Sequence, residues 1–149
     1  MNRILRALLL AMSVMLVIAA AVQAKAGGVP AIPLNSGQEA PGAISEGSGS
    51  FSYTVNGSEL CYTLAVRDLT GAPVAAHIHL APRNAPGPVV VPLATPTGAT
   101  SSVSACITAT EGGAMTPAEL AAIVADPRAY YVNVHTVAWP AGEVRGQLK

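Results

Sequence analysis

Between Gly49 and Val66 the chain alternates apolar and polar residues with a two-residue period and breaks that alternation only at a turn dipeptide. Phe51, Tyr53 and Val55 fall on one side, Ser52 and Thr54 on the other. After Asn56-Gly57, Leu60, Tyr62, Leu64 and Val66 alternate again. This is the period of a strand with one buried face, because successive strand side chains point to opposite faces. Asn-Gly takes the positive φ angles of a type I′ turn more readily than other pairs. The segment is therefore expected to be a β-hairpin closed by Asn56-Gly57. Asn56-Gly57-Ser58 also fits a glycosylation acceptor, although a tight turn accounts for the same residues.

The same reading continues along the chain. Val74 to Leu80 places Val74, Ala76, Ile78 and Leu80 on one face and Ala75, His77 and His79 on the other. Pro82, Pro86 and Pro88 make the next stretch a stiff loop without regular structure. Val89 to Leu93 and Ser101 to Thr110 read as further strands. One helix interrupts them: Thr116 caps it, Pro117 suits its first position, Glu119 completes a capping box, and Asp126-Pro127 ends it. Leu120, Ile123 and Val124 are its expected apolar face. A second hairpin, Tyr130 to Val137 with Glu143 to Leu148, closes the chain. Pairing His135 opposite Arg145 keeps Asn133, His135, Arg145 and Gln147 on one face and Val132, Val134, Val144 and Leu148 on the other, whereas a one-residue slip mixes the faces. The expected class is all-β: an antiparallel β-sandwich, immunoglobulin-like or a superoxide-dismutase-like Greek key, or else a barrel-like closure, with one short crossover helix.

The first residues have a different character. Arg3 and Arg6 precede an apolar run from Ala7 to about Val22, and small residues follow. These are the parts of a secretory signal peptide, expected over residues 1–24 with a cut after Ala24, or after Ala26 as an alternative. The run falls short of the roughly 18 to 20 residues that cross ~30 Å of hydrocarbon, so no membrane span is expected after cleavage. Residues 25–48, rich in Gly, Pro, Ser and Ala, are expected to form a flexible N-terminal lead and a first strand, and 32–149 a single domain. Without Arg3 and Arg6 the chain carries two more acidic than basic residues, which argues against nucleic acid as a partner. A periplasmic or secreted location follows. Disulfides persist there, so Cys61 and Cys106 are expected to pair; two buried thiols is the alternative.

All three histidines, His77, His79 and His135, lie on strand-like segments. Two apart on one strand, His77 and His79 project from one face about 7 Å apart at the backbone, and a third imidazole from another strand would make an open three-histidine metal site. Imidazole suits zinc, copper, iron and nickel. The plainer alternative is a polar face with no site. Asn133, Glu143 and Arg145 are the candidate supporting residues, Glu143 orienting an imidazole N–H and Arg145 steering an anion; a solvated salt-bridge ladder is the alternative for the last two. Trp139, at a hairpin tip, is either a lid over the apolar end or a contact for a partner. No nucleophile elbow, phosphate-binding glycine loop or closely spaced carboxylate pair is present.

Leu34-Asn35-Ser36-Gly37-Gln38-Glu39-Ala40-Pro41, Ala76-His77-Ile78-His79, Gly87-Pro88-Val89-Val90, Tyr131-Val132-Asn133-Val134-His135-Thr136 and Pro140-Ala141-Gly142-Glu143-Val144-Arg145-Gly146-Gln147-Leu148 together resemble the CHRD domain, the repeat first named from chordin. The resemblance spans roughly Ile32 to Leu148. It implies a β-sandwich module of exported proteins and leaves the molecular role open. More locally, the His-x-His strand is similar to the copper-binding strand of copper-zinc superoxide dismutases, which need more histidines and an aspartate for two metals. One metal at most is expected here, copper first and zinc second. Three functions follow as expectations: an exported module binding one transition metal ion, a copper-only superoxide dismutase-like enzyme, and a non-catalytic structural module with an extracytoplasmic protein partner.

Overall fold

The computed structural model describes residues 30–149; the expected signal peptide and the start of the lead lie outside them. Period-two segments become strands: β1 (Ile32–Asn35), β2 (Ser48–Asn56), β3 (Glu59–Arg67), β4 (Pro73–Leu80), β5 (Val89–Leu93), β6 (Ser101–Thr108), β7 (Tyr130–Thr136) and β8 (Val144–Gln147). Helix α1 (Pro117–Ala125) has the expected capping box, Thr116 accepting from the Glu119 N–H while the Glu119 carboxylate accepts from the Thr116 N–H. It buries Leu120 and Ile123, but Val124 turns outward.

The all-β expectation holds. The strands form one continuous, curled antiparallel sheet in the order β5-β4-β7-β8-β1-β2-β3-β6, whose two halves face each other across the core as the layers of a sandwich do. The short β1 makes the join, pairing with β2 along its length and with β8 through Asn35 and Arg145. The inner residues then meet in a single core. Ile78, Val91, Val132 and Val134 from one half join Phe51, Leu60 and Leu64 from the other, each fully buried, and α1 adds Ile123. Apolar burial of this kind contributes roughly 25 cal/mol per Å² removed from water.

Both hairpins correct the sequence reading in register. In the first, Asn56 pairs with Glu59, so the loop residues are Gly57 and Ser58. Only Gly57 takes a positive φ, +59°, where a type I′ turn needs two such residues. In the second, Arg145 faces Asn133, not His135. The connection is longer than expected because it contains two successive turns, the Trp139 N–H donating to the Thr136 carbonyl and the Gly142 N–H to the Trp139 carbonyl. The displacement is two residues, so each side chain keeps its expected face.

Cys61 and Cys106 face each other across β3 and β6 and are bonded. The bridge lies on the outer face and staples β6, an edge strand, to β3, its one neighbour among the described strands. Closing a chain separation of 45 residues contributes about 4 kcal/mol in the chain-entropy view. Replacing both cysteines by alanine is therefore expected to cost about that much in a urea melt. Amide exchange at Val103, Ala105 and Ile107 should then accelerate ahead of β2; equal protection in both strands would contradict the staple.

Candidate metal centre

Strands β4 and β7 are antiparallel neighbours with Ala75 opposite His135 and His77 opposite Asn133. His135 therefore lies diagonally across from His77, on the face that His77 and His79 already share. The rings converge: centroids are 5.1 Å apart for His77 and His135, 5.5 Å for His77 and His79, and 5.9 Å for His79 and His135. One nitrogen from each lies within 4.8 Å of the others.

Hydrogen bonds assign the protons. His79 Nδ1 lies 3.0 Å from the Gly87 carbonyl and His135 Nδ1 3.0 Å from the Pro140 carbonyl. A carbonyl can only accept, so both Nδ1 atoms carry the proton and both Nε2 atoms are the lone-pair atoms of the neutral ring. His135 Nε2 faces His77 Nδ1 at 3.2 Å, which makes His77 Nδ1 the donor in that pair. His79 Nε2 is buried and has no partner among the described residues. Burial keeps all three rings neutral, lowering the pKa of His77, of His135 and most of His79, which falls to about 4.

This donor set fits one soft or borderline cation. Ligand bonds of about 2 Å place neighbouring nitrogens roughly 3.3 Å apart in a tetrahedron, close to the 3.2 Å between His77 Nδ1 and His135 Nε2; a cation there would take the place of the shared proton, with His77 carrying its proton on Nε2 instead. The remaining spacings are no more than 4.8 Å. A carbonyl holding the distal N–H, as Gly87 does for His79 and Pro140 for His135, is the arrangement that orients ligating histidines and raises their basicity.

Arg145 departs from the role expected of it. It is 1 % exposed and cannot steer an anion from solvent. Its guanidinium donates to the Ala85 carbonyl at 2.7 Å and the Pro82 carbonyl at 2.8 Å, and it lies 3.3 Å above the Tyr131 ring. Tyr131 stacks in turn on His79, with centroids 4.8 Å apart and planes within 9°. The Tyr131 hydroxyl accepts the Gly87 N–H, so Arg145 and Tyr131 together hold the proline-rich loop whose Gly87 carbonyl orients His79. Gln147 pins the start of the same loop, donating to the Ala81 carbonyl.

Glu143 is corrected as well: it orients no imidazole and is in no solvated ladder. Fully buried, its carboxylate accepts from the Ser45, Thr70 and Thr136 hydroxyls and the Thr70 N–H, tying the lead segment and the β3–β4 loop to the end of β7. Burial pushes its pKa up, but these hydrogen bonds together hold it below the ordinary value.

Glu39 is the residue the sequence reading passed over. It lies in the Gly- and Pro-rich lead, is 7 % exposed, and accepts from Asn133 Nδ2 through both oxygens at 2.9 and 3.0 Å. Gly142 makes room for this pair, since a Cβ there would sit 2.2 Å from Asn133 Nδ2. The only sequence signal was its place in the family-like segment Leu34 to Pro41. Burial raises the Glu39 pKa to about 7, against the opposing field of Arg145. A carboxyl raised in the folded state contributes stability below its unfolded pKa and loses it as pH rises through 7. His79 acts in the opposite sense, with stability lost as pH falls from 6.5 toward 4. The two slopes oppose each other between pH 4.5 and 6.5. Glu39→Gln is expected to unmask a stability that rises with pH across that window, and to be more stable than wild type above pH 7. Urea melts of chelator-treated protein at a series of pH values check both.

Thr116-capped helix, curled sheet and terminal hairpin all fall within one family match: the CHRD domain model covers residues 31–148. No curated protein matches the chain, and no solved structure does. By that match, which takes in all three histidines and both cysteines, the chain belongs to the CHRD domain family.

Proposed function

We propose that this chain is an exported CHRD module, periplasmic or secreted, that binds one copper ion through His77, His79 and His135. One observation carries the reading: a buried His79 Nε2 whose lone pair has no partner among the described residues, on a ring that lies beside two further imidazoles. Leaving such an atom unpaired costs about 1–3 kcal/mol, and a cation would remove that cost. Three neutral imidazoles with an open fourth position suit copper or zinc, and copper ranks above zinc in divalent affinity for a given nitrogen site. The disulfide fits an oxidising compartment outside the cytoplasm.

A bound copper ion would supply redox chemistry at an open position. The chain's own residues hold the donors: the Gly87 and Pro140 carbonyls fix two ring orientations, and Arg145 fixes the loop that carries Gly87. A dismutase-like reaction would lack the anion guide expected of Arg145, because that guanidinium is already bonded beneath the loop.

Calorimetric titration of the metal-free protein is expected to give one copper per chain, with zinc binding the same site more weakly. The triple His77→Ala, His79→Ala, His135→Ala variant should bind none. An unchanged copper isotherm in that variant would sink the metal reading and leave a structural or protein-interaction module.

A further inference from the structure

The sheet curls without closing, and its two edges differ. At one end β5 is short, contains Pro92, and meets β4 through a register shift between Ile78 and His79. Proline and bulges are the usual protections of an edge against further pairing. At the other end β6 (Ser-Ser-Val-Ser-Ala-Cys-Ile-Thr) has no proline, no charge and no register shift against β3.

Two observations fix which backbone groups of β6 face the open side. The Cα atoms of Cys61 and Cys106 are 4.0 Å apart, the close spacing of a non-hydrogen-bonded antiparallel pair, where N–H and C=O point away from the neighbouring strand. The Ala109 N–H, three residues on, donates to the Ser58 carbonyl, which places odd-numbered residues in the β3 ladder. With an unbroken register, Ser102, Ser104, Cys106 and Thr108 turn both backbone groups outward. Among the described residues, none of these groups has a hydrogen-bond partner. The side chains of these four are exposed, while Val103, Ala105 and Ile107 point inward and are only partly buried against the core.

We propose that β6 pairs antiparallel with β6 of a second copy of this chain, about a two-fold axis through Ala105. In that register Ser102 faces Thr108 of the second copy and Ser104 faces Cys106, so every outward N–H and C=O of the four residues is used. The same register sets Val103 beside Ile107 of the second copy on the inner face and brings the two Ala105 methyl groups together at the axis. Two uncharged strands meet with no like-charge opposition, and the half-buried apolar row gains its missing cover. A self-complementary patch of this kind is what a two-fold interface requires.

The test is independent of metal. Sedimentation equilibrium of the purified, chelator-treated protein over a concentration series is expected to show a monomer–dimer equilibrium. Ser104→Pro removes an N–H that has no partner among the described residues, along with one exposed hydroxyl pair to Thr63, so the variant should keep its circular dichroism spectrum and disulfide but sediment as a monomer. Should it fail to fold, Ser104→Lys on the exposed face serves in its place, opposing like charges near the axis and weakening dimerisation about tenfold or more. Ala105→Cys should form a symmetric intermolecular disulfide under mild oxidation. A wild-type monomer at every concentration overturns the proposal, as does a dimer that neither Ser104 variant weakens.

Discussion

A guanidinium can be buried only if its donors are satisfied, and much of the histidine face depends on how Arg145 meets that constraint. At 1 % exposure it draws on the carbonyls of Pro82 and Ala85 and on the face of Tyr131. Those contacts dictate the path of a loop that three prolines already stiffen, and the loop in turn presents the Gly87 carbonyl to His79. A lysine could not reproduce this, since one point charge on a flexible stem cannot bond two carbonyls in a fixed plane while stacking on an aromatic ring. The position of one imidazole is thus set by a chain of contacts that begins two strands away, on β8.

Strand faces, the helix cap and the disulfide pair were legible because each rests on a local rule. Period two assigns faces, Thr116 with Glu119 announces a helix start, and Cys61 and Cys106 lie on strand-like segments of a chain whose first residues read as an export signal. Register was legible only to parity. A two-residue displacement leaves every face unchanged, so nothing in the pattern separates Asn133 from His135 as the residue opposite Arg145. The Asn56-Gly57 turn slipped by one because glycine alone supplies the single positive φ that its loop needs.

Less legible were the residues that contravene the usual sorting of charge to the surface. Arg145 and Glu143 alternate on a terminal strand like solvated charges, yet both are buried, one under a loop and the other beneath three hydroxyls. Glu39 has no periodic neighbours at all, and its burial depends on β1 and the following turn folding back over β8. These are long-range facts. Only the tertiary path brings Glu39 to Asn133, 94 residues away in sequence.

The unequal edges of the sheet have a bearing on solubility. A sheet with two receptive edges can add copies head to tail without end, which is the route to fibres. Pro92 and the irregular pairing of β5 close off one of them. Growth by strand addition can then proceed from β6 alone, and a second chain joined there presents only another blunted β5 to the solvent. An uncharged, receptive strand can therefore persist on the surface of this protein because the opposite end of the same sheet acts as a chain terminator.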